Sequence, residues 1–222
     1  MTPEQQKEQA RLIKDGSGYA CYRFAREVEG ADVMALQDRV LEVGDGFDCC
    51  QFARDIPGAD IEALQKRVLE IGTASDCAVF ARHIRTANIE TLEAKVLKTG
   101  TGRDCYWFAR DVPGAQIKPL ERRVLEIGNG EDCSEFALHI PGADIGSLQK
   151  RVLEIGSGWV CAQFAWYVPG ADISVIQARV LEVGTDNDCR WFAYNVPGAD
   201  KECLLTRAQA LRDTENSEGP HP

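Results

Sequence analysis

The sequence predicts an all-α fold: an α-solenoid of seven 28-residue two-helix repeats, preceded by a capping helix. Three observations predict it. Cys21, Cys49, Cys77, Cys105, Cys133, Cys161 and Cys189 recur every 28 residues without an insertion. Within each copy the apolar residues fall at helical spacing, and Asp, Pro-Gly and Gly punctuate the copies at fixed offsets. Repetition at such a period marks a stacked-repeat architecture, because one short unit cannot bury its own apolar face.

One clear unit is Asp45 to Gly72, DGFDCCQFARDIPGADIEALQKRVLEIG, numbered here as positions 1 to 28. The copies start at Ser17, Asp45, Thr73, Thr101, Asn129, Ser157 and Thr185. A first helix, A, carries apolar residues at positions 5, 8, 9 and 12 (Cys49, Phe52, Ala53 and Ile56 in this unit). That i, i+3, i+4, i+7 spacing defines one helical face. Position 4 is Asp48, Asp76, Asp104, Asp132 and Asp188 in five copies and reads as an N-cap. Pro-Gly, as at Pro57-Gly58 and Pro197-Gly198, ends the helix.

A second helix, B, starts after Asp32, Asp60, Asn88, Asp144, Asp172 or Asp200, which are its expected N-caps. Its expected core face is positions 17, 20, 24 and 27: Ile61, Leu64, Val68 and Ile71. Gly44, Gly72, Gly100, Gly128, Gly156 and Gly184 close it, at a place suited to the left-handed conformation of a helix C-terminus. Residues 1–16 read as a lone polar capping helix, residues 17–212 as the seven repeats, and residues 213–222 as a disordered tail. The strand signature of leucine-rich repeats is missing, which favours two helices per unit.

The motif C-x-x-F-A-R-x-[VI]-P-G-A-D-I-x-x-L-Q-x-R-V-L-E-x-G resembles short two-helix repeats of bacterial and phage proteins. More loosely, it is similar to HEAT-type and leucine-rich-variant solenoids. The resemblance covers nearly the whole chain. It implies architecture, and a phage or mobile-element origin would imply an inhibitor of a host defence protein.

The most conspicuous marks of the sequence have structural explanations. The spaced cysteines lie on the apolar stripe beside Phe and Ala, so buried thiols are expected rather than a metal site or disulfides. The formal net charge of −10 equals in number the ten Asp residues at positions 4 and 16. Negative side chains favour helix N-termini. Position 23 is Arg or Lys in every copy, often with Glu three residues on, which reads as a solvated ladder of ion pairs.

Variation among the copies concentrates at positions 3, 6, 7, 10 and 11 of helix A, where all four tryptophans and all five tyrosines fall. Exposed Trp and Tyr are enriched at binding hot spots, and solenoids bind through extended faces. The expected partner-binding residues are Tyr22, Arg26, Arg54, Arg82, His83, Tyr106, Trp107, Arg110, His139, Trp159, Trp166, Tyr167, Trp191 and Tyr194. In the first four copies position 10 is an Arg row; in the last three it is Leu138, Trp166 and Tyr194. The Arg and acid rows are read either as part of this face or as inter-repeat ion pairs.

No catalytic motif is present: the sequence has no phosphate-binding loop, nucleophile elbow, HExxH or CxxC pair. A non-enzymatic protein with no cofactor is expected. No apolar run suffices to cross a bilayer and residues 1–16 are polar, so a cytoplasmic location is expected. The leading function is a protein-binding scaffold, an inhibitor or adaptor. Two alternatives are binding of an anionic ligand, single-stranded nucleic acid or nucleotide, on the Arg and aromatic face, and DNA mimicry by the acidic surface.

Overall fold

The computed structural model describes residues 1–217. They form fifteen helices and, among the described residues, no strand. The helices are α1 (Pro3–Asp15), α2 (Gly18–Glu27), α3 (Val33–Val43), α4 (Gly46–Asp55), α5 (Ile61–Ile71), α6 (Ala74–His83), α7 (Ile89–Thr99), α8 (Gly102–Asp111), α9 (Ile117–Ile127), α10 (Gly130–His139), α11 (Ile145–Ile155), α12 (Gly158–Tyr167), α13 (Ile173–Val183), α14 (Asp186–Asn195) and α15 (Lys201–Ser217). This is a repeat α-solenoid in which even-numbered helices are A and odd-numbered helices from α3 onward are B. The chain divides into two compact units, Met1–Gln116 and Ile117–Pro222, the division falling inside the fourth repeat. In the first unit α2, α4 and α6 pack on α3, α5 and α7 and on the next helix A. In the second, α10, α12 and α14 pack in the same way on one another and on α11, α13 and α15. The tail expected from residue 213 is helical as far as Ser217, and the remainder of that expected segment, 218–222, lies outside the described residues.

Helix A begins three residues earlier than position 4 would place it. Its N-cap is position 1 in all seven copies, the side chain of Ser17, Asp45, Thr73, Thr101, Asn129, Ser157 or Thr185 accepting the N–H of position 4. The Asp at position 4 sits at the third helical residue and accepts the N-cap N–H in return, as at Asp45 and Asp48. This capping box appears in the five copies that have that Asp and satisfies two otherwise orphaned donors. The Asp still lies where a helix N-terminus favours negative charge. Helix A ends on a turn in which Pro57 and Gly58 are the central residues, with the Ala59 N–H donating to the Ile56 carbonyl at 3.3 Å and Gly58 at φ +83°. These are the marks of a type II turn, which needs a positive φ at its third residue. The third copy has Arg85-Thr86 there and closes the same bond, Ala87 N–H to Ile84 C=O at 3.0 Å, without a positive φ.

The N-caps of helix B are as expected, with Asp32, Asp60, Asn88, Asp144 and Asp172 accepting first-turn N–H groups and Asp200 accepting from Cys203 at 3.1 Å. The closing glycines depart from expectation. Gly44 to Gly184 at position 28 are all extended, near φ −69° to −78° where the C-cap is described, and none is left-handed. Space, not φ, requires glycine: a Cβ on Gly72 would lie 2.7 Å from the Val68 carbonyl oxygen and 3.2 Å from Asp76 Cβ.

The core is the stripe of helix A against the Leu and Val of helix B. Cys49, Phe52, Leu64 and Val68 have no exposed surface, and their counterparts repeat this in later copies. Position 27 was expected in this core and is instead open: Val43, Ile71, Ile127, Ile155 and Val183 are 39–44% exposed. Helix B ends at that residue, and its last turn has no neighbour on that side. The residue that completes the buried face is polar. Position 21 (Gln37, Gln65, Glu93, Gln149, and Glu121 likewise) is buried, and its side-chain oxygen accepts the N–H of position 16 in the following repeat, at 2.8 Å for Gln37 to Asp60 and Gln65 to Asn88. Position 23 is also more than a solvated ladder. The expected pairs with Glu form, as Arg39–Glu42 at 2.8 Å and Arg179–Glu182 at 2.8 Å. Members of the series also donate back to the end of the helix two before their own, Arg39 to the Gly16 carbonyl at 2.9 Å, Lys95 to Leu69 at 2.6 Å and Arg207 to Leu181 at 3.1 Å. A cation at a helix C-terminus is favourable by charge and fills vacant carbonyls.

At Glu93 of the position 21 series the carboxyl is held above its ordinary value, first by burial and then by the Glu90 charge, despite accepting from the Gln116 N–H. A folded pKa above the unfolded one means the native state holds the proton more tightly. The contribution is full below the unfolded pKa and is lost as pH rises through the folded one. Glu93→Gln keeps the acceptor and removes the charge. It is expected to stabilise the protein at neutral pH, with the gain shrinking as pH falls into the carboxylate range. Urea midpoints at neutral and mildly acidic pH measure both; equal midpoints for variant and parent at neutral pH would refute it.

Candidate surface of the helix A face

In the first unit the outer positions of helix A form a polar seam between successive repeats. Tyr22 at position 6 was expected on the surface and is 1% exposed, as is Tyr106. Position 6 faces the next helix A, where four other copies hold the small residues Cys50, Ala78, Ser134 and Ala162; the last copy, with no helix A after it, holds Arg190. Only the phenol oxygen of Tyr22 reaches the rim. It donates to Asp55 at 2.6 Å and accepts from Arg26 at 2.6 Å, and the Arg26 guanidinium lies 5.1 Å from the ring centroid. Arg54 grips the same carboxylate with two bonds of 2.7 and 2.8 Å. The Arg54 guanidinium, with help from the Tyr22 hydroxyl, holds the Asp55 carboxyl down at about 2. Two repeats on, Arg110 donates to Tyr106 at 3.1 Å and grips Asp111 at 2.7 and 2.9 Å, while Arg82 reaches Asp111 from the preceding helix at 3.1 Å. Thus Arg26, Arg54, Arg82 and Arg110 are members of networks with Tyr and acidic side chains, in which Arg82–Asp111 crosses between repeats while Arg26–Glu27, Arg54–Asp55 and Arg110–Asp111 join neighbours on one helix. Exposed pairs of this kind add little stability; their effect is register between neighbours.

Beside the second network, a cleft of about 270 Å³ lies between α6 and α8, lined by Ala78, Val79, Arg82, His83, Trp107, Arg110 and Asp111. Trp107 is 42% exposed and His83 is exposed. His139, also exposed, lies in the second unit with its Nε2 3.5 Å from a Glu135 oxygen.

The second unit carries a different surface. Trp191 on α14 is half-buried, its ring centroid 5.0 Å from that of Trp159 and 6.1 Å from that of Trp166, both on α12. Tyr167 adds a fourth ring at 6.4 Å from Trp166. The ring planes stand at 72–79° to one another, the edge-to-face arrangement that aromatic quadrupoles favour. Trp159, Trp166, Tyr167 and Tyr194 are 41–67% exposed. The structure therefore gathers Trp159, Trp166, Tyr167 and Trp191 into one cluster and places Tyr194 on the adjoining helix. Trp191 as the ring between two others was not evident from sequence; its signal is that positions 3 and 10 of one copy flank position 7 of the next.

The cysteines are not part of any such surface. All seven of the repeated series are fully buried, and Cys50 is 4% exposed, its Sγ donating to the Asp76 carbonyl at 3.4 Å. Burial pushes the Cys49 and Cys133 thiols up to about 12 and those of Cys77 and Cys161 up to about 11. Cys203 alone among the described cysteines is exposed. Native protein is therefore expected to react rapidly with Ellman's reagent at one thiol of the nine in the sequence, the rest appearing only on unfolding. Two or more fast thiols, located by mass spectrometry, would contradict the buried series. Among the described residues no group of three or more His, Cys, Asp or Glu is placed to hold a metal ion, and no helix is long and apolar enough to cross a membrane.

No family model, curated protein or solved structure matches this chain.

Proposed function

We propose that this protein is a non-enzymatic repeat scaffold that binds another protein through the exposed aromatic residues of its helices A. The carrying observation is the cluster of Trp159, Trp166, Tyr167 and Trp191, large rings in mutual contact yet 41% or more exposed at Trp159, Trp166 and Tyr167. Core packing does not require them, since α12 and α14 already bury Cys161, Phe164, Cys189 and Phe192 on their opposite faces. Rigid, amphipathic rings of this kind supply much of the energy at protein interfaces. Trp107 beside the α6–α8 cleft is a second anchor, in the other unit.

The anionic-ligand and DNA-mimic readings draw less support. The arginines that would meet a phosphate are engaged with Asp55 and Asp111. Much of the acidic charge caps helices or pairs with position 23. The resemblance to repeats of phage proteins makes a host defence protein the first partner class to try, with the cytoplasm as the compartment.

The test compares wild type with Trp159→Ala/Trp166→Ala and with Trp107→Ala in affinity capture from the native host. Each hot-spot tryptophan is expected to weaken binding by about 30-fold. A double variant that keeps its helical circular dichroism and still captures the same partner at wild-type strength refutes the proposal. Capture that collapses with salt and survives loss of the tryptophans would favour an anionic ligand instead.

A further inference from the structure

We infer that the cleft between α6 and α8 is a socket for a tyrosine side chain of a partner protein. This inference rests on the protein-binding reading and names the chemistry of the residue received beside Trp107. The protein supplies its own template, because one polar seam is built twice and filled by a phenol once.

Between the first and second repeats the filling residue is Tyr22. Its hydroxyl donates to Asp55 Oδ2 at 2.6 Å and accepts from Arg26 Nη1 at 2.6 Å, and the Arg26 guanidinium lies 5.1 Å from the ring centroid. Arg54 holds Asp55 through Nε and Nη2. The polar half of this arrangement recurs between the third and fourth repeats. Arg82 corresponds to Arg26, Arg110 to Arg54 and Asp111 to Asp55, each at the same position of its repeat. Arg110 holds Asp111 through the same two nitrogens, at 2.7 and 2.9 Å. Position 6 is what differs, with Ala78 where the first repeat has Tyr22. The Arg Nη1 and Asp Oδ2 that the Tyr22 hydroxyl joins therefore meet directly here, Arg82 to Asp111 at 3.1 Å.

A small residue at position 6 does not by itself open a cleft. Cys50 is 4% exposed and Ala162 is fully buried. Ala78 is only half-buried and lines a cleft of about 270 Å³. An apolar cavity of about 150 Å³ holds benzene, so a phenol ring fits. Among the seams with a small position 6, this one alone has a carboxylate at position 11 of the next helix A; the others have His83, Tyr167 and Asn195. Ala78, Val79 and Trp107 form the apolar side of the cleft, and Arg82, Arg110 and Asp111 its polar end. A ring entering beside Ala78 would lie against the Trp107 indole, a favourable aromatic contact. Its hydroxyl would donate to Asp111 and accept from Arg82, whose side chain is 54% exposed and has room to swing aside. Arg110, by its hydrogen bonds first, holds the Asp111 carboxyl below its ordinary value, and an ionised carboxylate only accepts. The polar end thus selects a group that carries a proton, a phenol rather than a phosphate or a carboxylate.

The experiment titrates p-cresol, the tyrosine side chain as a free molecule, into the full chain and follows the indole N–H and alanine methyl signals by heteronuclear NMR. The signals of Trp107 and Ala78 are expected to shift, with those of Trp159, Trp166 and Trp191 unmoved. Toluene, which lacks the hydroxyl, should bind about tenfold more weakly, and Asp111→Asn should weaken p-cresol binding by a similar factor. Ala78→Tyr places a phenol in the socket from within. It is expected to abolish p-cresol binding and to weaken capture of the protein partner about tenfold or more, with a Tm no lower than that of the parent. Asp111→Asn gives an independent reading should that variant fold poorly. Stationary signals up to millimolar p-cresol overturn the inference, as does toluene binding equally well or p-tolyl phosphate binding more tightly. Partner capture that survives Ala78→Tyr while p-cresol binding is lost would assign the socket to a free phenol, and the partner tyrosine falls. If p-cresol fails and Ala78→Tyr captures as the wild type does, while loss of the tryptophans still abolishes capture, the inference falls and the protein-binding reading stands.

Discussion

Phe136→Ala is expected to lower stability by about 3–5 kcal/mol, the range for emptying a fully buried aromatic site. Phe136 has no exposed surface, and the same ring recurs at Phe52, Phe80, Phe108, Phe164 and Phe192. It lies on the buried face of helix A, beside Cys133 and Ala137, with the helix B residues Leu148 and Val152 buried in the same repeat. A typical domain has only about 5–15 kcal/mol in total. In stacked repeats each unit depends on its neighbours, so the loss should surface as local opening around α10 and α11 before global unfolding. Urea titration followed by circular dichroism and by tryptophan fluorescence should then give transitions that no longer coincide. Coincident transitions and a loss under about 1 kcal/mol would show that the ring contributes far less than its burial implies.

Gly72→Val is expected to cost about 2–3 kcal/mol by overpacking, although Gly72 has φ −69°, which any residue adopts. The Cβ would press on the Val68 carbonyl at 2.7 Å, and a branched side chain would add to the contact with Asp76, which completes the capping box of the next helix. Gly58 is the control. It has φ +83° and nothing within 4 Å of an added Cβ, so Gly58→Ala should cost about 1 kcal/mol through backbone strain alone. Thermal or urea unfolding of the two variants separates crowding from conformation. A larger loss at Gly58 than at Gly72 would reverse the assignment.

That pair of glycines shows why some of the fold was legible in the sequence and some was not. The repeat, the two helices per copy, the caps of helix B and the Phe, Leu and Val core follow from periodicity, a local property. The glycine at position 28 was read through φ, because a sequence displays residue type and not the distance to Val68. Asp48 was read as an N-cap, and its residue type suits the third helical position equally well. The Ser, Thr, Asp or Asn three residues before it in every copy was the available sign. Ile71 is apolar and in phase with Val68, yet exposed, since only tertiary packing decides whether the last turn is covered. The candidate surface divided in the same way. That Trp159, Trp166, Tyr167 and Tyr194 would be accessible was readable from position; that Tyr22 and Tyr106 fill the seam was not. Aromatic residues serve both situations, and burial between neighbouring helices depends on their approach.

The position 21 staple also bears on how the chain can change length. Acceptor and donor sit at the same two offsets in successive copies, so the bond from Gln37 to the Asp60 N–H is the same bond as that from Gln65 to the Asn88 N–H. Excision of residues 45–72 would bring Gln37 opposite the Asn88 N–H and Gly44 before Thr73, restoring the position 21 bond at the new join, while Tyr22 would meet His83 in place of Asp55. Insertion of a further copy would keep that bond in the same way. A 28-residue crossover between copies thus keeps the helix register and the position 21 bond while altering the series of side chains on helix A. The architecture separates the inheritance of shape from the inheritance of surface, and a gene of this kind can exchange its displayed residues by recombination without first solving the folding problem again.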